Sequence, residues 1–512
     1  MVEQDIQPNF YTVIGVEPEV LAYALAKFSR SANTLTETLK ELSGEKAEKF
    51  FNTFYFQYGH NSIADLLHVV LSLENIPIIE AIEVWDDPLI DGQESSTRYQ
   101  NFSRRRFATP QRLVGLPMEL YYKNMGNKLF ETYFQLQEPV SKYLLEKYGP
   151  SRPADIDEGT ALRTANARTF DRTRYLLPSS TYTNMGIIMS ARTAEKMIIR
   201  LVSNPNPEIQ NLGAKIRETV KDHPAFNLVY EKQKQLFLDQ EDFGPRQEFY
   251  QQALDLALGD VKSAPTLVKY TNPSQYQQMM YARLKDAAKQ YLGDEEPENG
   301  RLARLHFNIH PEIEAAATAL YKGSNHSFQQ ALEVAEGMEY GERRDLTDSL
   351  FEGRGAKDET VREANTGRML IFDIETDNGA FRDLIRHRNM VKIIQDFTPN
   401  LGFDTPEDFK AAGLDCQYKQ VMESAGILAT ALDSELLGVG QYILPLAYRR
   451  KMLMKMDSAQ LQYIVENRTT TQGHFSYRET AYKMWQQAMQ YIPDLAKHIR
   501  VTHPSVENFW KR

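Results

Sequence analysis

Two stretches of this 512-residue chain repeat earlier ones at long range, and a repeat restricts the fold more than any composition does. Residues 16–31, VEPEVLAYALAKFSRS, align without a gap on residues 309–324, IHPEIEAAATALYKGS, at an offset of 293. Pro18 falls on Pro311, Glu19 on Glu312, Phe28 on Tyr321 and Ser31 on Ser324. Both copies place Pro at a first helical position, with apolar residues such as Leu21, Leu25 and Phe28 following at helical spacing. Two unrelated amphipathic helices opening on Pro-Glu would look the same, so a second match has to decide. It lies at Arg174–Pro178 (RYLLP) and Gln441–Pro445 (QYILP), at an offset of 267. Two matches in the same order predict an internal duplication. The first repeat takes residues 1–230 and the second 301–512, with a helical middle segment and acidic linker over 231–300.

Local patterns are mainly helical, with one segment left open. Thr34–Leu42 and Glu45–Tyr58 read as helices, and residues 118–148 as one long amphipathic helix closed by Gly149-Pro150. The segments after the two Leu-Pro turns, 185–202 and 452–469, look helical as well. Leu66–Ile79 is apolar and β-branched, and periodicity leaves strand and buried helix both open.

A formal net charge of -10 argues against bulk attraction to nucleic acid or anionic membrane. An anionic ligand would therefore be met by a local basic pocket. No apolar run approaches the ~18 residues of a membrane helix, and MVEQDIQPNF lacks the parts of a signal peptide. The single cysteine, Cys416, forbids an intrachain disulfide and has no helpful neighbour for a nucleophile. A cytoplasmic protein is expected.

The densest chemistry lies in Glu94-Ser95-Ser96-Thr97-Arg98-Tyr99, which packs a carboxylate, three hydroxyls, a guanidinium and a phenol together. Hydroxyls and a guanidinium fork suit a phosphate monoester, although a polar cluster after an apolar run is also how turns and helix starts look. Other signatures are missing: no GxxxxGK[ST], HExxH or CxxC, and His306 and His310 have no third ligand at useful spacing, so no metal is expected. Gly438-Val-Gly440 is too short for a dinucleotide fingerprint. Three polar or basic sites remain. They are Gly59-His60-Asn61-Ser62, Arg386-His387-Arg388, and the helices after the Leu-Pro turns, which carry Arg192, Arg200 and Arg468. Arg386-His387-Arg388 sits among Leu384, Ile385, Met390 and Val391, and charge in apolar surroundings needs a partner.

Taken in order, GHNS (59–62), ESSTRY (94–99), RYLLP (174–178) and RHR (386–388) resemble the flavin-dependent thymidylate synthase (ThyX) family, whose signature is RHRxxSxxExSxRY. The resemblance covers both repeats. It also departs from the family: Asp86-Asp87-Pro88 stand where the first repeat should carry Arg-His-Arg. In the second, Ile394, Asp396 and Thr398 stand where Glu, Ser and Arg belong. The losses are complementary.

The resemblance implies a helix-rich α+β fold in which two ThyX-like α/β domains form a pseudo-dimer, and, since family members pool residues between subunits, one composite site. Glu94, Ser95, Ser96, Thr97, Arg98 and Arg174 would bind dUMP; His60, Ser62, Arg192, Arg386, His387 and Arg388 would bind FAD. Arg468 would lie against the uracil. The implied reaction is reductive methylation of dUMP to dTMP, with NADPH and methylenetetrahydrofolate as co-substrates, in a homo-oligomer formed by pairing of two chains. Two rivals fit the same residues: a diverged flavin- or nucleotide-binding paralogue without synthase activity, and a regulatory partner with vestigial sites.

Overall fold

In a computed structural model the chain is a helix-rich α+β protein with two small sheets. The structure describes residues 18–27, 35, 38, 64–98, 102, 107–221, 235, 248, 252, 271–293, 297–298, 300, 302–307, 309–354, 361–364, 366–367, 370–497, 499–506 and 508–510. The helices expected over 34–42 and 45–58 lie largely outside these residues. So do His60, Ser62 and Tyr99.

The first half runs α1 (Pro18–Lys27), β1 (His68–Pro77), α2 (Ile78–Trp85), β2 (Asp91–Glu94), α3 (Met118–Gln135), α4 (Gln137–Tyr148), α5 (Glu158–Thr173), β3 (Tyr182–Ser190), α6 (Ala191–Val202) and α7 (Pro207–Lys221). Helix α8 (Gln275–Leu292) precedes the second half. There follow β4 (Leu302–Phe307), α9 (Pro311–Gly323), α10 (Phe328–Gly337), α11 (Tyr340–Ser349), β5 (Leu370–Asp377), α12 (Asn378–Leu384) and β6 (Val391–Ile394). The chain then forms α13 (Glu407–Ala411), α14 (Asp415–Glu435), β7 (Arg449–Met456), α15 (Ser458–Arg468), α16 (Phe475–Tyr491) and α17 (Pro493–Ala496).

Two compact units divide the chain. One comprises Met1–Leu71, Ile187–Ile199 and Gly213–Asn272, the other Ser72–Gly186, Arg200–Leu212 and Pro273–Arg512. In the first, the Ala191 amide donates to Leu67 O at 2.9 Å. Helix α1 buries Ala22, Ala24 and Ala26, leaving Leu21 and Leu25 half-buried.

The second unit holds an antiparallel sheet of order β4-β5-β7-β6. Strands β5 and β7 are buried on both faces apart from half-buried Arg449. Tyr276, Met280 and Leu284 of α8 pack with α9, α10, Ile371, Ile393 and Leu453 in one apolar core. A Cβ at Gly323 would stand 1.9 Å from Leu284 O, so only glycine permits this approach of α9 to α8. The other sheet has the order β1-β3-β2. Asn184 of β3 links both neighbours, taking the Asn75 amide on its side chain and the Ser95 amide on its carbonyl, each at 2.8 Å.

The same hydrogen bonds recur in the two halves. β1-α2-β2 and β5-α12-β6 follow each other at an offset of 300. The amides of Ile78 and Ile79 donate to Thr181 O and Ser179 O at 3.0 and 2.9 Å, and those of Asn378 and Gly379 to Tyr448 O and Leu446 O at 2.9 and 3.0 Å. Tyr122 donates to Ala108 O as Tyr418 does to Asp404 O, both at 2.7 Å. The two Leu-Pro turns pair with one another. Ser179 N–H reaches Leu444 O and Ser180 N–H reaches Tyr442 O; in return Leu446 donates to Leu177 O and Ala447 to Tyr175 O, all within 2.8–3.2 Å.

Three local expectations need correction. The open segment 66–79 is a strand running directly into a helix. Residues 118–148 form two helices instead of one, broken at Leu136. Pro139 has no amide to donate to the Gln135 carbonyl, and its ring would crowd that carbonyl. The helix-like segments 185–202 and 452–469 each begin as strand, β3 and β7, before α6 and α15. In the second the strand ends where Asp457 caps α15, its side chain accepting from the Gln460 amide at 2.8 Å. No described helix is long and apolar enough to cross a membrane.

Candidate active site

Within the second unit, four chain segments converge on a layer of arginines. Helix α5, capped by Asp157, delivers Asp171 and then Arg174 at the start of the Leu-Pro turn. Strand β2 ends at Glu94 and leads into Ser95–Arg98. Helix α12, capped by Asp377, presents Arg382 and Asp383 and is followed by Arg386, His387 and Arg388. Helices α15 and α16 supply Arg468 and Tyr477.

Glu94, its side chain 1% exposed, is the hub. One carboxylate oxygen takes Arg382 Nη2 and Thr183 Oγ1; the other takes Arg386 Nη2 and Trp85 Nε1, both at 3.0 Å. Thr97 Oγ1 lies 3.3 Å from Arg382 Nη1 and 3.5 Å from Arg174 Nη1. Ser96 Oγ accepts from the Arg98 amide at 3.2 Å. Arg98 is engaged on every nitrogen: Nε to Asp171 at 2.7 Å, Nη1 to the Tyr477 hydroxyl at 3.0 Å, and Nη2 to Gln472 O at 3.0 Å. Arg388 reaches Ile90 O and Asp91.

Arg174 differs. It is 2% exposed, and its Nε and Nη2 are buried without a hydrogen-bond partner among the described residues. Its Nη1 lies 3.7 Å from Asp383. The Nε atoms of Arg382 and Arg386 are likewise unpartnered. Burial pushes the Asp383 carboxyl up, yet Arg174, Arg386, Arg468 and Arg98 together hold it below its ordinary range. Five guanidiniums (Arg98, Arg174, Arg382, Arg386, Arg468) face three carboxylates (Glu94, Asp171, Asp383), and Arg168 lies a further 3.9 Å from Asp171, so cation is in surplus. Buried donors with surplus cation are what a dianionic phosphate or a pyrophosphate matches.

His387 is 5% exposed and accepts from Arg468 Nε through its Nε2 at 2.9 Å. Burial and the Arg468 cation push it down to about 3. The ring is therefore neutral and carries its proton on Nδ1.

At the positions corresponding to Arg386-His387-Arg388, the chain neutralises itself. Arg200 lies 3.8–3.9 Å from Glu83, Asp86 and Asp87, and Arg362 lies 2.5 Å from Asp86. Burial raises the Asp86 carboxyl, but Arg362 and Arg200 bring it to about 2.

The structure thus brings Glu94, Ser96, Thr97, Arg98 and Arg174 together with Arg386, His387 and Arg468. Ser95 is held by its amide, which donates to Asn184 O of β3. Arg192 belongs to the first unit, 3.1 Å from Asp65. No three potential ligands cluster as a metal site among the described residues. Arg382, Asp383, Asp171 and Tyr477 went unread. Arg382 alone had a local signal, lying one helical turn before Arg386.

The model of the thymidylate synthase complementing protein family (Thy1) matches residues 12–224 and again 306–494. The chain belongs to this family. A UPF0159 protein of Chlamydia muridarum is 25% identical, covering 96% of this chain and 90% of its own. One from Thermoplasma acidophilum is also 25% identical, over 93% and 94%. The flavin-dependent thymidylate synthase of Clostridium tetani is 23% identical over 40% of this chain and 78% of its own length. The family assignment accords with the complementary motifs: each match covers one half, and residues of both halves meet at Glu94.

Proposed function

We propose that this chain is a duplicated, flavin-dependent thymidylate synthase-like enzyme with one composite site, its repeats over 1–230 and 301–512 flanking the segment 231–300. The observation that carries this reading is Arg174, a buried guanidinium with two unpartnered nitrogens beside Arg382 and Arg386. The recurring hydrogen bonds, and the family match to each half, support the duplication.

On this reading dUMP is the substrate, its phosphate taken by Arg174 and Arg382, with Ser96, Thr97 and Arg98 fixing the loop around it. Arg468, which has no partner for its terminal nitrogens among the described residues, stabilises negative charge developing on the uracil ring. Arg386, His387 and Arg388 hold FAD; the cation excess and the unpartnered Arg386 Nε suit its pyrophosphate. When bound, the reduced flavin supplies hydride, with methylenetetrahydrofolate as carbon donor and NADPH as reductant. His60, Ser62 and Arg192 are assigned to the same cofactor, and two chains pair as a homo-oligomer.

Complementation of a thymidine auxotroph, with dUMP and FAD titrated into the purified chain, tests this. Growth and saturable binding of both ligands are expected. Binding without dTMP formation would identify an inert paralogue, and binding of neither ligand would overturn the proposal.

A further inference from the structure

Tyr477 joins the two groups that the proposed reaction needs to keep in register. It lies in the first turn of α16 and is 5% exposed. Its hydroxyl accepts from Arg98 Nη1 at 3.0 Å. Its ring lies below two guanidiniums, with Arg98 Cζ 5.8 Å and Arg468 Cζ 5.4 Å from the centroid. Beyond it the chain of contacts continues on both sides. Arg98 Nε reaches Asp171 at 2.7 Å, and Arg468 Nε reaches His387 at 2.9 Å. One unbroken path, Asp171–Arg98–Tyr477–Arg468–His387, therefore crosses from the first half of the chain to the second.

Elementary electrostatics explains why an aromatic stands there. The Arg98 guanidinium is buried and that of Arg468 half-buried; the two cations repel, and the Asp383 carboxylate, on which both act, belongs to the arginine layer and not to this path. An aromatic face attracts cations, and a phenolic oxygen accepts from one of them without adding a negative charge. Gly473 makes the placement possible, since a Cβ there would stand 2.8 Å from Tyr477 Cε2.

Building on the function proposed above, we infer that Tyr477 is a positioning residue coupling nucleotide capture to the reacting arginine. The hydroxyl sets Arg98 and the loop that contacts dUMP, while the ring sets Arg468.

The two roles separate in two variants. Tyr477→Phe keeps the ring and loses the oxygen, so KM for dUMP should rise about tenfold with kcat within about twofold of wild type. Tyr477→Leu loses both, so kcat should fall as well, by about tenfold or more. Phenylglyoxal labelling, followed by peptide mass spectrometry, reads the same geometry without turnover. Labelling of Arg98 should quicken in both variants, and that of Arg468 in Tyr477→Leu only. Equal labelling of both arginines in wild type and variants would overturn the inference, as would an unchanged KM in Tyr477→Phe. If wild-type chain binds no dUMP while the variants still show the labelling pattern, the proposed reaction is refuted and only the positioning of Arg98 and Arg468 by Tyr477 stands.

Discussion

Arg174 is the residue on which the proposed nucleotide site turns. A buried guanidinium with open donors is costly unless a ligand completes it, so its removal should be read first in binding. Arg174→Gln should weaken dUMP binding by about 30- to 150-fold, on the order of 2–3 kcal/mol for a charge-assisted contact, measurable by calorimetric titration. Arg468 and Arg200 make the complementary pair. Arg468→Ala should lower turnover by about 10²–10³-fold, as loss of a transition-state donor does. Arg200→Ala should leave turnover within about twofold. It removes the cation beside Glu83 and Asp87, however, while Asp86 keeps Arg362, so stability should fall by about 3 kcal/mol in denaturant unfolding. His387 gives a pH signature. Its folded pKa of about 3 lies below the ordinary 6.5, so the unfolded chain binds the extra proton between those values. The stability His387 contributes is present above pH 6.5 and is lost as pH falls through that window. His387→Asn should flatten this part of the acid limb.

At the scale of elements, α12 shows how much was legible in the sequence and where legibility stopped. Placing Asp86-Asp87-Pro88 against Arg386-His387-Arg388 required only counting, and the strand-helix-strand units do run at that offset of 300. Glu94 meeting Arg382 and Arg386 was not countable, because a pairing across 288 and 292 residues depends on how the halves dock. Strand β7 was misread for a related reason. Its Lys455 falls inside the segment 452–469 that looks helical, yet it is buried, like Arg450 and Lys451 just before that segment, all three at most 2% exposed. Glu314 meets Lys455 at 2.8 Å and Glu375 lies 3.6 Å from Lys451, partners that no local window contains. Helix α12 also yields a prediction. A Cβ on Gly379 would stand 3.1 Å from Asp377 Oδ1, 3.3 Å from Arg174 Nη2 and 3.4 Å from its Cζ. Alanine is the better helix former by up to about 1 kcal/mol, so Gly379→Ala should keep or raise the melting temperature. It should nevertheless weaken dUMP binding, by pressing on the guanidinium.

Across the whole molecule, the proposed function has two diverged halves make one working site and one internally neutralised counterpart. The Leu-Pro turns donate to each other reciprocally, so each half contributes the same backbone to the junction. Side chains break that equivalence. Where one half offers Arg386 and His387 among surplus cations, the other has Asp86 and Asp87 already paired with Arg200 and Arg362. Those carboxylates would repel a flavin pyrophosphate that guanidiniums attract. The most direct measurement is therefore the molar ratio of FAD to chain at saturation, read from flavin absorbance against protein concentration. One FAD per chain is the predicted result, and two per chain would contradict the composite site.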